Sequence, residues 1–316
     1  MEDKIKQLIL KSTKAEAIAT IEPIQKLWSD YGEISRIHLI GSSMESIILK
    51  HIIVPDELNH PRAWNSDLAH QRKLKSYQVE KRWYYGKSGE SKARLPACLH
   101  AEELANEMLL LLEDLNPAGY SIRRTEVNWN EFESCISWLA KFHASYIGQS
   151  AAGLWPIGTY WHLATRPQEL AALQDEALKE AAPLIDAKLT GAKFQTIVHG
   201  DAKLANFCFS KSGDVAGVDF QYVGGGCGMK DLAYFVGSCL DEADCEKLED
   251  HILDLYFSHL HQALPAENKA LEREWRELYP YAWADFHRFL KGWSPNHWKI
   301  NSYSERQCQK VIESLH

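Results

Sequence analysis

Asp201, Asn206 and Asp219 are the residues of this chain whose types and spacing could carry chemistry. They stand in His199-Gly200-Asp201-Ala202-Lys203-Leu204-Ala205-Asn206 and in Asp219-Phe220, with Asn206 five residues after Asp201. A carboxylate and an amide oxygen are hard ligands of the kind Mg2+ takes, and a third carboxylate can accept the proton of a hydroxyl. Phosphoryl transfer asks for that set, because it depends on positioning and charge neutralisation more than on covalent help. Asp219 and Asn206 fit the metal-ligating part, and Asp201 fits the base. A His-Gly-Asp triplet alone is a weak signal, and the plain alternative is a β-hairpin with polar turn residues. The full set in a strand-loop-strand setting is the specific signal.

The elements around the set supply that setting. Gln195-Thr196-Ile197-Val198 reads as an apolar strand ending at His199, and Phe207-Cys208-Phe209 resumes a strand after Asn206. Lys211 to Asp214 is a turn, and Val215 to Val218 leads into Asp219. Upstream, Ile24 to Trp28, Ile34 to Ile40 and Ser46 to Val54 read as three consecutive antiparallel strands, from their alternation and β-branched content. Ser29 to Glu33 and Gly41 to Glu45 are the turns between them, and Pro55 to Ser66 is loop. Asp67 to Tyr85 is predicted helical and to end at Gly86. Pro96 to His100 and Met108 to Leu112 are further strands, and Glu113 to Pro117 is a chain reversal. Beyond it Phe132, Ile136, Leu139, Phe142, His143 and Tyr146 recur on one face of a long helix. Gln168 to Lys188 is a second helix, interrupted near Pro183, and Asp231 to Leu315 alternates helical stretches with breaks. The expectation is an α+β fold of two lobes: residues 1–115, built on a small antiparallel sheet, and 116–316, larger and mostly helical.

Composition narrows the function classes. The 316 residues are 45% hydrophobic and 25% charged, as in an ordinary globular enzyme. A formal charge of -8 argues against nucleic-acid binding, which needs a basic face. No apolar run reaches the length of a membrane span, and the charged Met-Glu-Asp-Lys-Ile-Lys start lacks a signal-peptide core. The seven cysteines are odd in number, scattered and without a C-x-x-C pair, so reduced thiols in a cytoplasm are expected. No obligate protein partner is evident.

His-Gly-Asp-x-x-x-x-Asn followed by Asp-Phe resembles the core of the aminoglycoside phosphotransferase and choline kinase superfamily, relatives of the protein kinases. Leu111-Leu112-Glu113-Asp114-Leu115, Ala140-Lys141-Phe142-His143-Ala144 and Lys230-Asp231-Leu232-Ala233-Tyr234-Phe235 place the texture nearest the choline-kinase-like and ecdysteroid-kinase-like branch. The resemblance runs from about Ile24 to Gly237. It implies a bilobal protein-kinase-like fold using ATP and Mg2+, with Asp201 as catalytic base and Asn206 and Asp219 on the metal. Lys203 matches a lysine that meets the transferred phosphate, and His199 becomes a prop for the loop. Lys50 is placed as the third-strand lysine that holds the α- and β-phosphates. An isolated lysine in an apolar strand needs a partner; Glu80 is the natural one, with Glu102 and Glu107 competing. Gly32 permits the tight turn of the loop expected over the phosphates, although that loop lacks the G-x-G-x-x-G pattern. Glu113 and Leu115 fall on the hinge strand, where backbone groups would read the adenine edge. Asp231 can cap the following helix, and the resemblance has it bracing the catalytic loop. His143 reads as a core histidine.

Only eleven residues separate Asp219 from Asp231, too few for a peptide-docking platform, so the implied acceptor is a hydroxyl of a small molecule. Two other readings stand beside this one. One is a nucleotide-binding module without transfer; the other is a metallohydrolase using His199 and Asp201 as ligands. The acceptor itself is open. Trp283, Phe286, Leu290 and Trp293 recur as a core-facing helical stripe, but the aromatics from Trp275 to Trp298 could also cage a quaternary ammonium. Asp285 and the loop Trp293 to Trp298 are the candidate acceptor contacts.

Overall fold

The computed structural model describes residues 2–27, 31–54, 67–104 and 106–315. Trp28, Ser29, Asp30 and the expected 55–66 loop lie outside the described residues. The chain opens with helix α1 (Asp3–Thr13). Strands β1 (Ala17–Lys26), β2 (Gly32–Ile40) and β3 (Ser46–Ile53) follow, then α2 (Asp67–Arg82), β4 (Cys98–Leu104) and β5 (Glu107–Glu113). All five strands form one antiparallel sheet in the order β1-β2-β3-β5-β4.

Side chains alternate across a strand, and here the alternation sorts two layers. Ile37, Ile47, Leu49, Leu109 and Leu111 face α1 and cover Ile5 and Ile9. Burying each of those isoleucines contributes about 1.5–3 kcal/mol. On the other face Ile52 and Met108 pack with Tyr77 of α2. Lys50 lies on that second face, between Ile48 and Ile52, so the strand itself aims its ammonium at α2.

Helix α2 does not stop at Gly86 as expected. It runs on through a π-helical turn, Trp83–Lys87, and a 3-10 turn, Ser88–Glu90. The wider turn carries Trp83 onto Phe220, with ring centroids 5.1 Å apart and stacked. The same helix that faces Lys50 is thereby packed against the residue after Asp219.

The second lobe begins with α3 (Trp129–Tyr146), started by a capping box in which Asn128 accepts from the Glu131 N–H and Glu131 accepts from the Asn128 N–H. Helices α4 (Pro167–Ala172) and α5 (Glu176–Thr190) follow. The expected interruption at Pro183 is absent. The break falls at residues 173–175, where Asp175 caps α5 by accepting from the Leu178 N–H, and Pro183 rides on the exposed side of α5. Two small sheets come next. β6 (Thr196–Val198) pairs with β9 (Gly224–Gly226), and β7 (Phe207–Phe209) pairs with β8 (Val215–Gly217). Helices α6 (Met229–Cys239), α7 (Glu242–Ala263), α8 (Lys269–Trp293) and α9 (Ser302–Leu315) complete the lobe. Trp83, Trp138, Phe142, Phe207 and Phe220 belong to its main core. On α8, Trp283, Phe286 and Leu290 are buried as a core stripe should be, whereas Trp293 is 45% exposed. The architecture is a bilobal α+β fold of the protein-kinase-like kind.

Candidate active site

The loop between β6 and β7 is held from behind. Asp231 is fully buried and accepts the main-chain N–H of His199 at 2.6 Å and of Gly200 at 2.9 Å. Burial opposes its charge, but the contacts with His143, His199 and the Gly200 N–H outweigh that and hold its pKa low. His143 backs the carboxylate at 3.1 Å and meets the Tyr256 hydroxyl at 2.8 Å on its other nitrogen. Asp231 does not cap its own helix, as its residue type alone allows; Gly228 stands at the N-cap of α6, with no side-chain cap. Gly200 has φ +82, and a Cβ there would meet the Tyr222 carbonyl oxygen at 2.1 Å, so the loop needs glycine at this position.

His199 donates from Nε2 to the Val218 carbonyl at 3.0 Å and accepts the Asp201 N–H on Nδ1 at 3.2 Å. Both ring nitrogens are engaged, which removes the metallohydrolase reading and leaves a prop that ties the loop to the end of β8. Asp201 is gripped on both oxygens. Oδ1 accepts the Tyr234 hydroxyl at 3.1 Å; Oδ2 accepts Lys203 Nζ at 3.0 Å and Asn206 Nδ2 at 3.1 Å. Burial and the nearby Asp219 charge raise its pKa, against the lowering effect of Lys203. A carboxylate so placed is more basic than an exposed one.

Asn206 also donates Nδ2 to the Asp201 carbonyl at 2.7 Å. Asp219 sits at φ +67, a left-handed conformation that costs a non-glycine residue on the order of 1 kcal/mol. Its Oδ1 receives the Gln221 amide at 2.7 Å and lies 3.5 Å from Lys50 Nζ. Burial would raise its pKa, but Lys50, Lys73 and Lys203 together hold it below the ordinary value. Asn206 Oδ1 and Asp219 Oδ2 make no hydrogen bond among the described residues. These two oxygens are the donor set that Mg2+ prefers, so the residues fit the ion.

Lys50 is buried and bonded to Glu80 Oε2 at 2.6 Å. Burial disfavours its charge, yet Glu80 and Asp219 outweigh it and raise its pKa. Of the competing carboxylates, Glu107 bonds His51 at 2.8 Å and Glu102 faces His100 at 3.4 Å. Glu80 is the partner. Gly32 has φ +113, and its Cβ position would coincide with the His51 carbonyl at 2.0 Å; it allows β2 to start against β3. The Glu113 side chain pairs with Arg94 and accepts the Ala97 N–H at 3.0 Å. The Leu115 carbonyl accepts the Tyr120 N–H at 2.8 Å, while the Leu115 N–H makes no hydrogen bond among the described residues.

Three participants are not singled out by the sequence. Lys73, about two turns before Glu80 on the same face of α2, donates to Gln221 Oε1 at 2.9 Å, and Gln221 passes its own amide N–H to Asp219. Lys73 and Lys50 flank the same ring, 4.6 and 5.7 Å from the centroid of Tyr77. Burial lowers the Lys73 pKa to about 8. Tyr234, inside the apolar run of α6, is the third. Only its distance from the Lys-Asp pair that precedes it could have hinted at a role. Asp285, by contrast, is spent: it accepts Trp161 Nε1 at 2.9 Å and Arg288 at 2.7 Å and pairs with Lys230 at 3.2 Å.

The sequence profile of the ecdysteroid kinase-like family matches residues 72–150 and 158–268. No curated protein sequence matches significantly. Among solved structures, an amicoumacin kinase in complex with AMP-PNP and Ca2+ superposes with a TM-score of 0.56 at 12% identity, covering 100% of this chain and 96% of that one. A microcompartment-associated aminopropanol kinase gives 0.52 at 15% identity over 99% and 98%. The choline kinase of Streptococcus pneumoniae gives 0.50 at 13% over 100% and 98%. At these identities the likeness shows the fold.

Proposed function

From the premise that this chain belongs to the ecdysteroid kinase-like family, we propose that it transfers the γ-phosphoryl group of ATP to a hydroxyl of a small molecule. The observation that carries the reading is the convergence of Lys50, Asp201, Asn206 and Asp219 from both lobes, linked through the 3.5 Å approach of Lys50 to Asp219. Amicoumacin, aminopropanol and choline kinases of the same fold lend it support as small-molecule kinases.

Asp201 takes the proton of the acceptor hydroxyl as its oxygen bonds to the γ-phosphorus, while the bond from that phosphorus to the bridging oxygen breaks and ADP leaves with the electron pair. Tyr234 and Asn206 fix the orientation of the carboxylate, and Lys203 lies on the same oxygen where phosphate charge would pass. Lys50, fixed by Glu80, and Lys73, fixed by Gln221, hold the triphosphate as two separate ammonium contacts. The second contact compensates for a phosphate-side turn with a single glycine. Asn206 and Asp219 would hold Mg2+, which supplies neutralisation of phosphate charge when bound. The Leu115 N–H, without a partner among the described residues, is the hinge group for the adenine edge. The cysteines are all free, most of them buried, which suits the reducing cytoplasm.

Among the described residues no helix is long and apolar enough to cross a membrane. The test is ADP formation with Mg2+/ATP across amino alcohols, hydroxy acids, sugars and steroid alcohols. Transfer undiminished in Asp201→Asn and Asp219→Ala would refute the assignment.

A further inference from the structure

The transfer chemistry leaves unused a cation that the structure places beside it. After α8 the chain makes two consecutive turns, His297 N–H to Ser294 O at 2.9 Å and Ile300 N–H to His297 O at 2.9 Å. They bring Lys299 back over α6. Its Nζ lies 4.9 Å from the ring centroid of Tyr234, 5.5 Å from Trp298 and 5.8 Å from Phe286. Tyr234 is the tyrosine whose hydroxyl holds Asp201 Oδ1. The aromatic box that could cage a quaternary ammonium thus already contains a cation, and the cation belongs to the protein.

Aromatic faces alone do not balance that ammonium. A cation–π contact is a weak attraction, and it does not offset the larger cost of desolvating an unpaired charge. Other lysines of this lobe are compensated: Lys230 by Asp285 at 3.2 Å, and Lys291 by Asp175 at 2.8 Å and Glu305 at 3.0 Å. Among the described residues Lys299 Nζ has neither an ion pair nor a hydrogen-bond acceptor. The charged groups it senses are Asp201, which attracts it, and Lys203, which repels it; the Cys239 thiol nearby is kept neutral by burial. The facing wall is aromatic too, and its own cation is paired, Arg166 with Glu169 at 3.2 Å. Tyr160 stands 5.7 Å from Tyr234 and 5.8 Å from Tyr222, with the Arg166 guanidinium 5.9 Å from the Tyr160 ring.

Resting on the phosphotransferase reading above, we infer that the acceptor is a hydroxylated organic anion. Its hydroxyl meets Asp201 and its acid group meets Lys299. Tyr234 spans the two, with its hydroxyl on Asp201 and its ring face under Lys299, so hydroxyl and acid stand about one aromatic ring apart. Trp298, 64% exposed, and the half-buried Tyr160 and Tyr222 offer faces to the body of the molecule.

Three probes of one shape separate the charges: 4-(hydroxymethyl)benzoate, 4-(hydroxymethyl)benzamide and 4-(aminomethyl)benzyl alcohol. Their dissociation constants are measured by ligand-observed NMR on the full chain, with and without AMP-PNP and Mg2+, in the wild type and in Lys299→Met, Lys299→Arg and Lys299→Glu. The benzoate is expected to bind at least tenfold more tightly than the amide, and the amine most weakly. Lys299→Met erases the preference, Lys299→Arg retains it and Lys299→Glu reverses it toward the amine. AMP-PNP affinity stays the same in all four proteins. A benzoate that binds no better than the amide, or a preference that survives Lys299→Met, overturns the inference. So does a loss of AMP-PNP affinity in Lys299→Met, which would put the lysine on the nucleotide. Failure of the wild type to bind AMP-PNP sinks the phosphotransferase reading instead, and the charge preference is read separately on the nucleotide-free protein.

Discussion

Asp231 accepts the His199 main-chain N–H at 2.6 Å, so a fully buried carboxylate on α6 fixes the start of the loop that carries Asp201. Its second oxygen takes the next N–H, of Gly200, and no solvent can replace either bond. Asp231→Ala leaves two buried donors unsatisfied and should destabilise the fold by about 3 kcal/mol or more. Its folded-state pKa lies below the ordinary value. The stabilisation is therefore complete above the unfolded pKa of about 3.9 and is lost as pH falls through the lower folded value. Urea midpoints of wild type and variant should differ most near neutrality and converge in acid. A gap that persists in acid would contradict the linkage.

The proposed base, Asp201, should show its surroundings in a pH profile. Asp201→Asn is expected to lower kcat by about 10²–10⁴-fold while ATP binding is retained. Burial and Asp219 raise the Asp201 pKa and Lys203 opposes them, so activity is lost on the acid side where the carboxylate takes its proton. Lys203→Met removes the opposing charge and should move that acid limb to higher pH. A limb that stays in place would mean another group is being titrated.

Lys73 should trade stability for phosphate binding. Its pKa falls from 10.5 to about 8 on burial, so below pH 8 the folded state carries an ammonium it would rather release. Lys73→Met is expected to stabilise the fold at neutral pH by on the order of 1 kcal/mol or more, seen as a higher melting temperature. The unfolded chain binds the extra proton between about 8 and 10.5, so wild-type stability climbs through that window and the variant's advantage shrinks. The same variant should weaken ATP several-fold and leave adenosine unchanged, as calorimetry can measure. Equal ATP affinity would remove Lys73 from the phosphate site.

The sequence made the candidate site more legible than the packing. Asp201, Asn206 and Asp219 are fixed by short-range spacing within one strand-loop-strand unit, and Lys50 by its strand. Glu80 could be chosen over Glu102 and Glu107 because a lysine on the α2 face of β3 needs a carboxylate on α2. Lys73 was hidden for the opposite reason: among Arg72, Lys73 and Lys75 in a polar helix, one more lysine reads as a solvated face. Only the tertiary packing of α2 on Phe220 turns that face inward. The break at residues 173–175 was misplaced to Pro183 because a proline on an exposed helix side loses a hydrogen bond without obliging the helix to stop. By residue type Asp231 could cap its helix, while the resemblance had it bracing the loop, and it is to that loop that its side chain turns.

Two glycines with nearly the same φ separate conformational strain from contact. Gly200 has φ +82 and Gly213 has φ +89, so alanine at either position is forced into a left-handed conformation. That strain costs roughly 1 kcal/mol. At Gly213 a Cβ meets nothing within 4 Å. At Gly200 it meets the Tyr222 carbonyl oxygen at 2.1 Å and the Thr159 nitrogen at 2.7 Å, both main-chain atoms that cannot swing aside. Gly213→Ala should therefore fold with a stability loss near that strain alone and keep its activity. Gly200→Ala should lose at least twice as much stability, and its activity should fall further than its folded fraction, because the Asp231 bonds and the Asp201 carboxylate must move with the loop. Chemical denaturation together with steady-state rates on the two variants decides this. Equal losses at the two positions would mean that the close approach of Tyr222 to Gly200 does not hold the catalytic loop in place.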